Sequence, residues 1–173
     1  MLIIYTGNGK GKTSAALGTV LRAAGYLKRS CIVQFIKDGT EYGEHHAISH
    51  NLKDLVDVFQ AGIGFYKLPG DGHSEADHKK AASEAMKFAR KKMGSKKYDI
   101  LVLDEVLTAV MVGLVEEKEL LDLLEGVPDG LHLILTGRGA TKALIDRADL
   151  VTEMLEVKHP FQKNEPASEG IDY

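Results

Sequence analysis

Short apolar runs alternate with longer stretches in which apolar residues recur every three or four positions, and the alternation continues for most of the chain. The first kind of run, bounded by turn residues, reads as a buried strand, and the second as an amphipathic helix. Residues 2–6 (LIIYT) predict a strand. A helix is predicted over 12–25, with Ala16, Leu17, Val20, Leu21 and Ala24 on one face. Residues 30–36 (SCIVQFI) predict a second strand, followed by a polar, glycine-rich loop from Lys37 and a short helix. The alternation in 55–60 (LVDVFQ) predicts a third strand. A glycine-rich loop then leads to Ser74, which opens a helix. Asp77 stands where the partner of a capping box belongs, and Gly94 is the expected stop.

The second half repeats the pattern. Residues 98–103 (YDILVL) predict a buried strand ending at Asp104 and Glu105. Helices follow through Met111 and over 116–124. Residues 131–135 (LHLIL) predict a strand, 140–147 a short helix and 150–157 a last strand. Residues 158–173, polar and containing proline, read as an extended C-terminal segment. Strands separated by helices imply an α/β fold: a mostly parallel sheet with helices on both faces.

Composition narrows the function. A length of 173 residues is expected to make one domain, 1–173, large enough for a real core. A net charge of -3 gives no electrostatic footprint for nucleic acid. No apolar run approaches the ~18 residues that span a membrane, and the N-terminal LIIY passes straight into glycines without a leader pattern. The one cysteine, Cys31, excludes an internal disulfide framework and fits a reducing compartment. The expectation is a cytoplasmic protein with no nucleic-acid and no membrane partner.

Three motifs sit at predicted strand ends, where parallel sheets bind ligands. The first is TGNGKGKT: Thr6, Gly7, Asn8, Gly9, Lys10, Gly11, Lys12 and Thr13, with Ser14 following. Glycines let successive N–H groups converge on an anion, and the next helix adds its positive end. Lys12 is placed to reach phosphate oxygens and Thr13 to hold Mg²⁺. Lys10 and Asn8 add donors. Thr6 stands where the usual pattern has glycine. The second motif is LDE, in which Asp104 or Glu105 would hold Mg²⁺ directly or through water. Taken alone, these acids read equally well as a solvated strand end. The third is TGR, in which Arg138 can neutralise a phosphate tail; the bland reading is a surface arginine after a turn. Arg22, farther along the first helix, reads either as packing or as nucleotide contact. His46 and His50 share a helix face, but with no third ligand nearby they read as solvated rather than as a metal pair.

TGNGKGKTSAALG, RAAG, VQFIK, YDILVLDE, TGR, ADLVTEM, KHPF and the closing GIDY together resemble the P-loop ATP:corrinoid adenosyltransferases, of the cob(I)alamin type, in order and over nearly the whole chain. The resemblance implies a RecA-like parallel sheet, a homodimer, and ATP, Mg²⁺ and a reduced corrinoid as reactants and cofactor. The implied reaction moves the 5′-deoxyadenosyl group of ATP to Co(I), with triphosphate leaving. Lys12, Arg138 and Glu105 become the catalytic candidates, and Thr13, Asp104 and Glu105 the Mg²⁺ candidates. An external flavoprotein-type donor is implied for cobalt reduction.

Two departures from the family pattern stand out. Members often carry an N-terminal extension that helps close the site, whereas this chain starts at the first strand. Closure is therefore expected to be weaker, or to be done by another segment. The family's corrinoid-facing loop often reads Gly-Phe-x-Trp, but here it is Gly64-Phe65-Tyr66-Lys67 and the chain has no tryptophan. Phe65 and Tyr66 are expected to supply the apolar face, and Lys67 to meet polar groups of the corrinoid. The competing functions are another P-loop nucleotide kinase or ATPase, and a corrinoid or nucleotide carrier without turnover.

Overall fold

The computed structural model describes residues 1–37, 42–64, 66–67 and 71–172. Six strands are found there: β1 (Leu2–Thr6), β2 (Ser30–Gln34), β3 (Val56–Gln60), β4 (Ile100–Asp104), β5 (His132–Thr136) and β6 (Leu150–Glu153). They form one sheet in the order β3-β2-β4-β5-β1-β6, and every pair is parallel. Helices α1 (Lys12–Ala24), α2 (Gly43–Asn51), α3 (Glu75–Gly94), α4 (Val106–Met111), α5 (Glu117–Leu124) and α6 (Lys142–Ile145) lie between them. This is the α/β fold that the alternation predicts, and it is consistent with a RecA-like domain.

Successive side chains of a strand point to opposite faces, and the two cores divide accordingly. Ile3, Ile32, Val102 and Ile134 pack with Ala16 and Val20 of α1 and Ile48 of α2. Ile4, Val33, Leu101, Leu103, Leu133 and Leu135 pack with α3, α4, α5 and α6 on the other face. The leucines of β4 and β5 are fully buried, and each such side chain contributes about 1.5–3 kcal/mol. The middle of the sheet is therefore a rigid platform for whatever follows β4 and β5.

Several element ends differ from the sequence expectation for local reasons. The strand predicted over 98–103 begins at Ile100, because Asp99 is turned outward, accepting from the backbone N–H of Arg29 at 2.9 Å and from Lys28 at 2.8 Å. The capping box forms as expected, with Asp77 N donating to Ser74 Oγ at 3.2 Å and Ser74 N to the Asp77 carboxylate at 3.1 Å. Gly94 is the last helical residue rather than the stop, and Ser95 caps the end. The strand predicted over 150–157 stops at Glu153, where the backbone leaves β6 to meet the loop after β1. Near the C-terminus, Pro160–Lys163 forms a 3-10 helix, opened by His159, whose ring accepts from Phe161 N at 3.2 Å.

Because all strands run the same way, their C-terminal ends share one edge of the sheet. TGNGKGKT follows β1, LDE closes β4 and TGR closes β5, and these three strands are neighbours in the order β4-β5-β1. The three motifs picked out by sequence thus meet at one place. No helix among the described residues is long and apolar enough to cross a membrane.

Candidate functional site

The loop between β1 and α1 is held by the chain end of β6. Met154 N donates to Thr6 O at 2.8 Å and Gly9 N to Met154 O at 2.7 Å. This close approach leaves no room for side chains: a Cβ on Gly7 would lie 2.4 Å from Met154 O, and one on Gly9 2.7 Å from Leu155 O. Gly7 also has φ +97°, a left-handed conformation that side chains resist. Thr6 stands in the glycine position because its side chain is used, with Ala140 N donating to its Oγ1 at 3.2 Å. The threonine stitches the loop after β1 to the loop after β5. Gly7→Ala is expected to lower stability by about 2–3 kcal/mol, or roughly 4–12 °C in Tm for a chain of this size. Scanning calorimetry would check this, and an unchanged Tm would mean that the Met154 contact gives way freely.

Lys12 is buried, and its ammonium donates to Gly7 O and Gly9 O, both at 2.9 Å. Burial lowers its pKa; the Glu105 charge opposes this, Arg138 adds to it and Asp104 opposes it again. Thr13 Oγ1 donates to Asp104 Oδ1 at 2.8 Å, so the first turn of α1 is tied directly to the end of β4. Asp104 is almost fully buried, and its carboxylate also accepts from Thr136 Oγ1 at 2.8 Å and from Gln34 Nε2 at 3.3 Å.

Glu105 has φ +62°, unusual for a residue other than glycine. Such a conformation costs on the order of 1 kcal/mol or more and persists only where its surroundings hold it. Two hydroxyls do so. Glu105 N donates to Thr136 Oγ1 at 2.9 Å, and Thr108 Oγ1 donates to the Glu105 carboxylate. Burial raises the Glu105 pKa and the neighbouring Asp104 charge adds to the rise, while Thr108, Lys12 and Arg138 hold it back. The Thr108 hydroxyl also accepts from Arg138 N at 2.9 Å. Gly137 lets this happen, since a Cβ there would lie 2.5 Å from Thr108 N. TGR therefore works as a unit: Thr136 holds the Asp104 carboxylate and the Glu105 backbone, Gly137 admits α4 and Arg138 is presented exposed beside them.

A cleft of about 340 Å³ opens at this point, lined by Lys10, Lys12, Thr13, Ser14 and Glu105 among others. Its far walls hold three groups not singled out above. Lys37 and Glu44 form an ion pair across it, and hydrogen bonding to Lys37 holds Glu44 below its usual pKa against the effect of burial. Asp172, near the C-terminus, pairs with Lys10 at 2.6 Å and accepts from Ser168 N at 2.8 Å.

The structure thus brings together Thr6, Gly7, Gly9, Lys10, Gly11, Lys12, Thr13, Ser14, Asp104, Glu105 and Arg138. Asn8 is exposed on the same loop. Arg22 is not among them: it lies exposed in the last turn of α1, about 15 Å along the helix from Lys12. Phe65 lies outside the described residues. Tyr66 and Lys67 belong to the loop after β3, a strand that itself lies four positions and about 19 Å from β1. The Tyr66 hydroxyl donates to Glu75 at 2.8 Å, and its ring meets the buried His78 edge-on at 5.1 Å. His78 in turn contacts both oxygens of Asp71, at 3.0 and 3.1 Å. Sequence reasoning passed over Thr136, Thr108, Gln34, Met154 and Asp172 as site residues. Gln34 left one signal, a lone amide at the end of a mostly apolar strand.

The oxygen-only donor set of Thr13, Asp104 and Glu105 suits a hard cation such as Mg²⁺, which usually takes one or two carboxylates and completes its shell with phosphate oxygens and water. No group of three or more histidine, cysteine or acidic side chains able to hold a metal ion occurs among the described residues, so substrate oxygens would have to supply the rest.

Residues 1–173 match the model of the family described as ATP:corrinoid adenosyltransferase BtuR/CobO/CobP. The corrinoid adenosyltransferase of Pseudomonas aeruginosa is 35% identical over 173 residues, covering 100% of this chain and 83% of that protein. That of Escherichia coli K12 is 33% identical over 174 residues, with 100% and 85% covered. Corrinoid adenosyltransferase CobA of Salmonella typhimurium is 32% identical over 177 residues, with the same coverage.

Proposed function

This chain belongs to the ATP:corrinoid adenosyltransferases, a family of transferases, and from that premise we propose that it moves the 5′-deoxyadenosyl group of ATP to Co(I) of a reduced corrinoid and releases triphosphate. The observation that carries the proposal is the juxtaposition of a buried lysine and a hydroxyl–carboxylate pair, Lys12 beside Thr13 and Asp104, at the mouth of a glycine loop. In the step itself, the Co(I) electron pair forms the Co–C5′ bond and the C5′–O bond breaks. The bonding electrons leave with the triphosphate.

Such a nucleophile needs no general base. What the protein must do is align C5′ with the metal and stabilise the departing charge. Lys12, Lys10, Arg138 and the free loop amides do the second task. Thr13 and Asp104 would hold Mg²⁺, with Glu105 beside them. When bound, Mg²⁺ neutralises charge developing on the leaving triphosphate. Glu105, its carboxylate held by Thr108, orients the metal shell, and the step asks no proton transfer of it.

Corrinoid recognition is assigned to the loop after β3, through Phe65, Tyr66 and Lys67. Tyr66 is braced there by Glu75 and His78. Reducing equivalents come from outside, from a flavoprotein-type donor: the one cysteine has no partner with which to form a dithiol couple, and burial pushes its thiol up to about 12. The protein is proposed to act as a cytoplasmic homodimer, each chain one nucleotide-binding domain.

The test is product analysis with ATP, Mg²⁺ and a chemically reduced corrinoid. The expected products are a light-sensitive adenosylated corrinoid and intact triphosphate in equal amounts. ADP and phosphate would make the protein a hydrolase or kinase instead. Tight corrinoid binding without turnover would make it a carrier.

A further inference from the structure

We propose that His45 is a positioning residue that sets the orientation of the Asp104 carboxylate through the side-chain amide of Gln34. The proposal rests on the reading that Asp104 serves the Mg²⁺ site. Tyr42 N donates to His45 Nδ1 at 3.0 Å, so Nδ1 is the acceptor and the neutral ring carries its proton on Nε2. That Nε2 faces Gln34 Oε1 at 2.8 Å and donates to it. With its oxygen engaged, Gln34 must point its NH₂ the other way, and Nε2 lies 3.3 Å from Asp104 Oδ2. One carboxylate oxygen is thereby held by Gln34, and the other is left to Thr13 and Thr136.

Donor and acceptor directions are fixed at every link of this chain. Gln34 and Asp104 are both almost fully buried, so neither can exchange its partner for water. The link also spans the fold: His45 is the third residue of α2, while Gln34 and Asp104 end two neighbouring strands. The same α2 turn places Glu44 in the cleft wall against Lys37. His45 thus couples the position of that wall to the carboxylate that meets Thr13. Orienting groups behind a metal ligand commonly set affinity by tenfold or more.

A blander role for His45 is capping α2 alone, since accepting from Tyr42 N would suffice for that. Two substitutions separate the roles. His45→Asn keeps an acceptor near the Nδ1 position but falls short of Gln34. His45→Gln keeps a donor near the Nε2 position and gives up the cap geometry. ATP binding is measured by calorimetry across a Mg²⁺ titration, alongside Tm and adenosyl transfer.

The expected result is that H45N raises the Mg²⁺ concentration for half-maximal ATP binding by about tenfold, with Tm falling by a few degrees as the buried Gln34 oxygen loses its donor. H45Q should stay close to wild type in its Mg²⁺ requirement even where Tm falls. The reverse order, with H45Q impaired and H45N normal, makes His45 a cap and overturns the proposal. A Mg²⁺-dependent wild type whose H45N variant is unchanged overturns it alone. A wild type that binds ATP equally with and without Mg²⁺ overturns the metal reading of Asp104 and this proposal with it.

Discussion

Lys12→Ala is expected to cut adenosyl transfer by roughly 10²–10³-fold, while corrinoid binding stays close to wild type. The size follows from where the ammonium sits. It is buried at the root of the loop, bonded to two loop carbonyls at 2.9 Å, shares the cleft with Glu105 and feels the charge of Arg138. A charge in a water-poor site is worth far more to a leaving group than the same charge in solution, and loss of a single such donor typically costs about 10²–10³ in rate. Folding should suffer much less, because the lysine's own burial is unfavourable and lowers its pKa. Removing it loses two charge-assisted bonds and relieves that penalty together. Tm, corrinoid binding by absorbance titration and single-turnover transfer would be measured on one preparation. Transfer at near the wild-type rate would remove Lys12 from the reaction.

Asp104→Asn is the second large effect, and here both activity and stability should fall. The carboxylate accepts from two hydroxyls and one amide. An asparagine that keeps its oxygen towards Thr13 and Thr136 must turn its NH₂ onto the NH₂ of Gln34. Gln34 relieves that clash only by flipping, which then sets its NH₂ against the Nε2–H of His45. The mismatch passes along the chain instead of being absorbed. One unpaired buried donor costs about 1–3 kcal/mol, or roughly 2–12 °C in Tm. Transfer is expected to drop by about 10²-fold, with a raised Mg²⁺ requirement as the larger part of the loss. A variant with the wild-type Mg²⁺ dependence would take Asp104 out of the metal site.

The fold was legible because burial on two faces leaves a signal that single residues carry. ILVLD and HLILT are continuous apolar runs, as doubly covered parallel strands should be. The loop after β1 stood out for a different reason: its glycines, lysine and hydroxyl have the fixed spacing that a phosphate cradle would need. What sequence could not supply was the partner of each residue. Thr6 looked like a departure from a pattern until Ala140 N was found on its hydroxyl. Thr136 and Thr108 are common residues whose roles arise only when β4, β5 and α4 meet. Arg22 shows the converse, since it shares the helix that follows the loop but lies about 15 Å along that helix from Lys12. The end of the last predicted strand was missed because its backbone bonds change from the sheet to the loop at Met154, a choice made by tertiary contact rather than by propensity.

The bonds between Met154 and the loop after β1 carry a consequence for biosynthesis. Thr6 and Gly9 leave the ribosome long before Met154, their backbone partner. Contacts this far apart along a chain close late, because the intervening loop entropy must be met before they form. The loop after β1 therefore waits for β6 before it reaches its final shape, and a nascent chain that already holds β1, β4 and β5 still lacks the Met154 bonds that fix that loop.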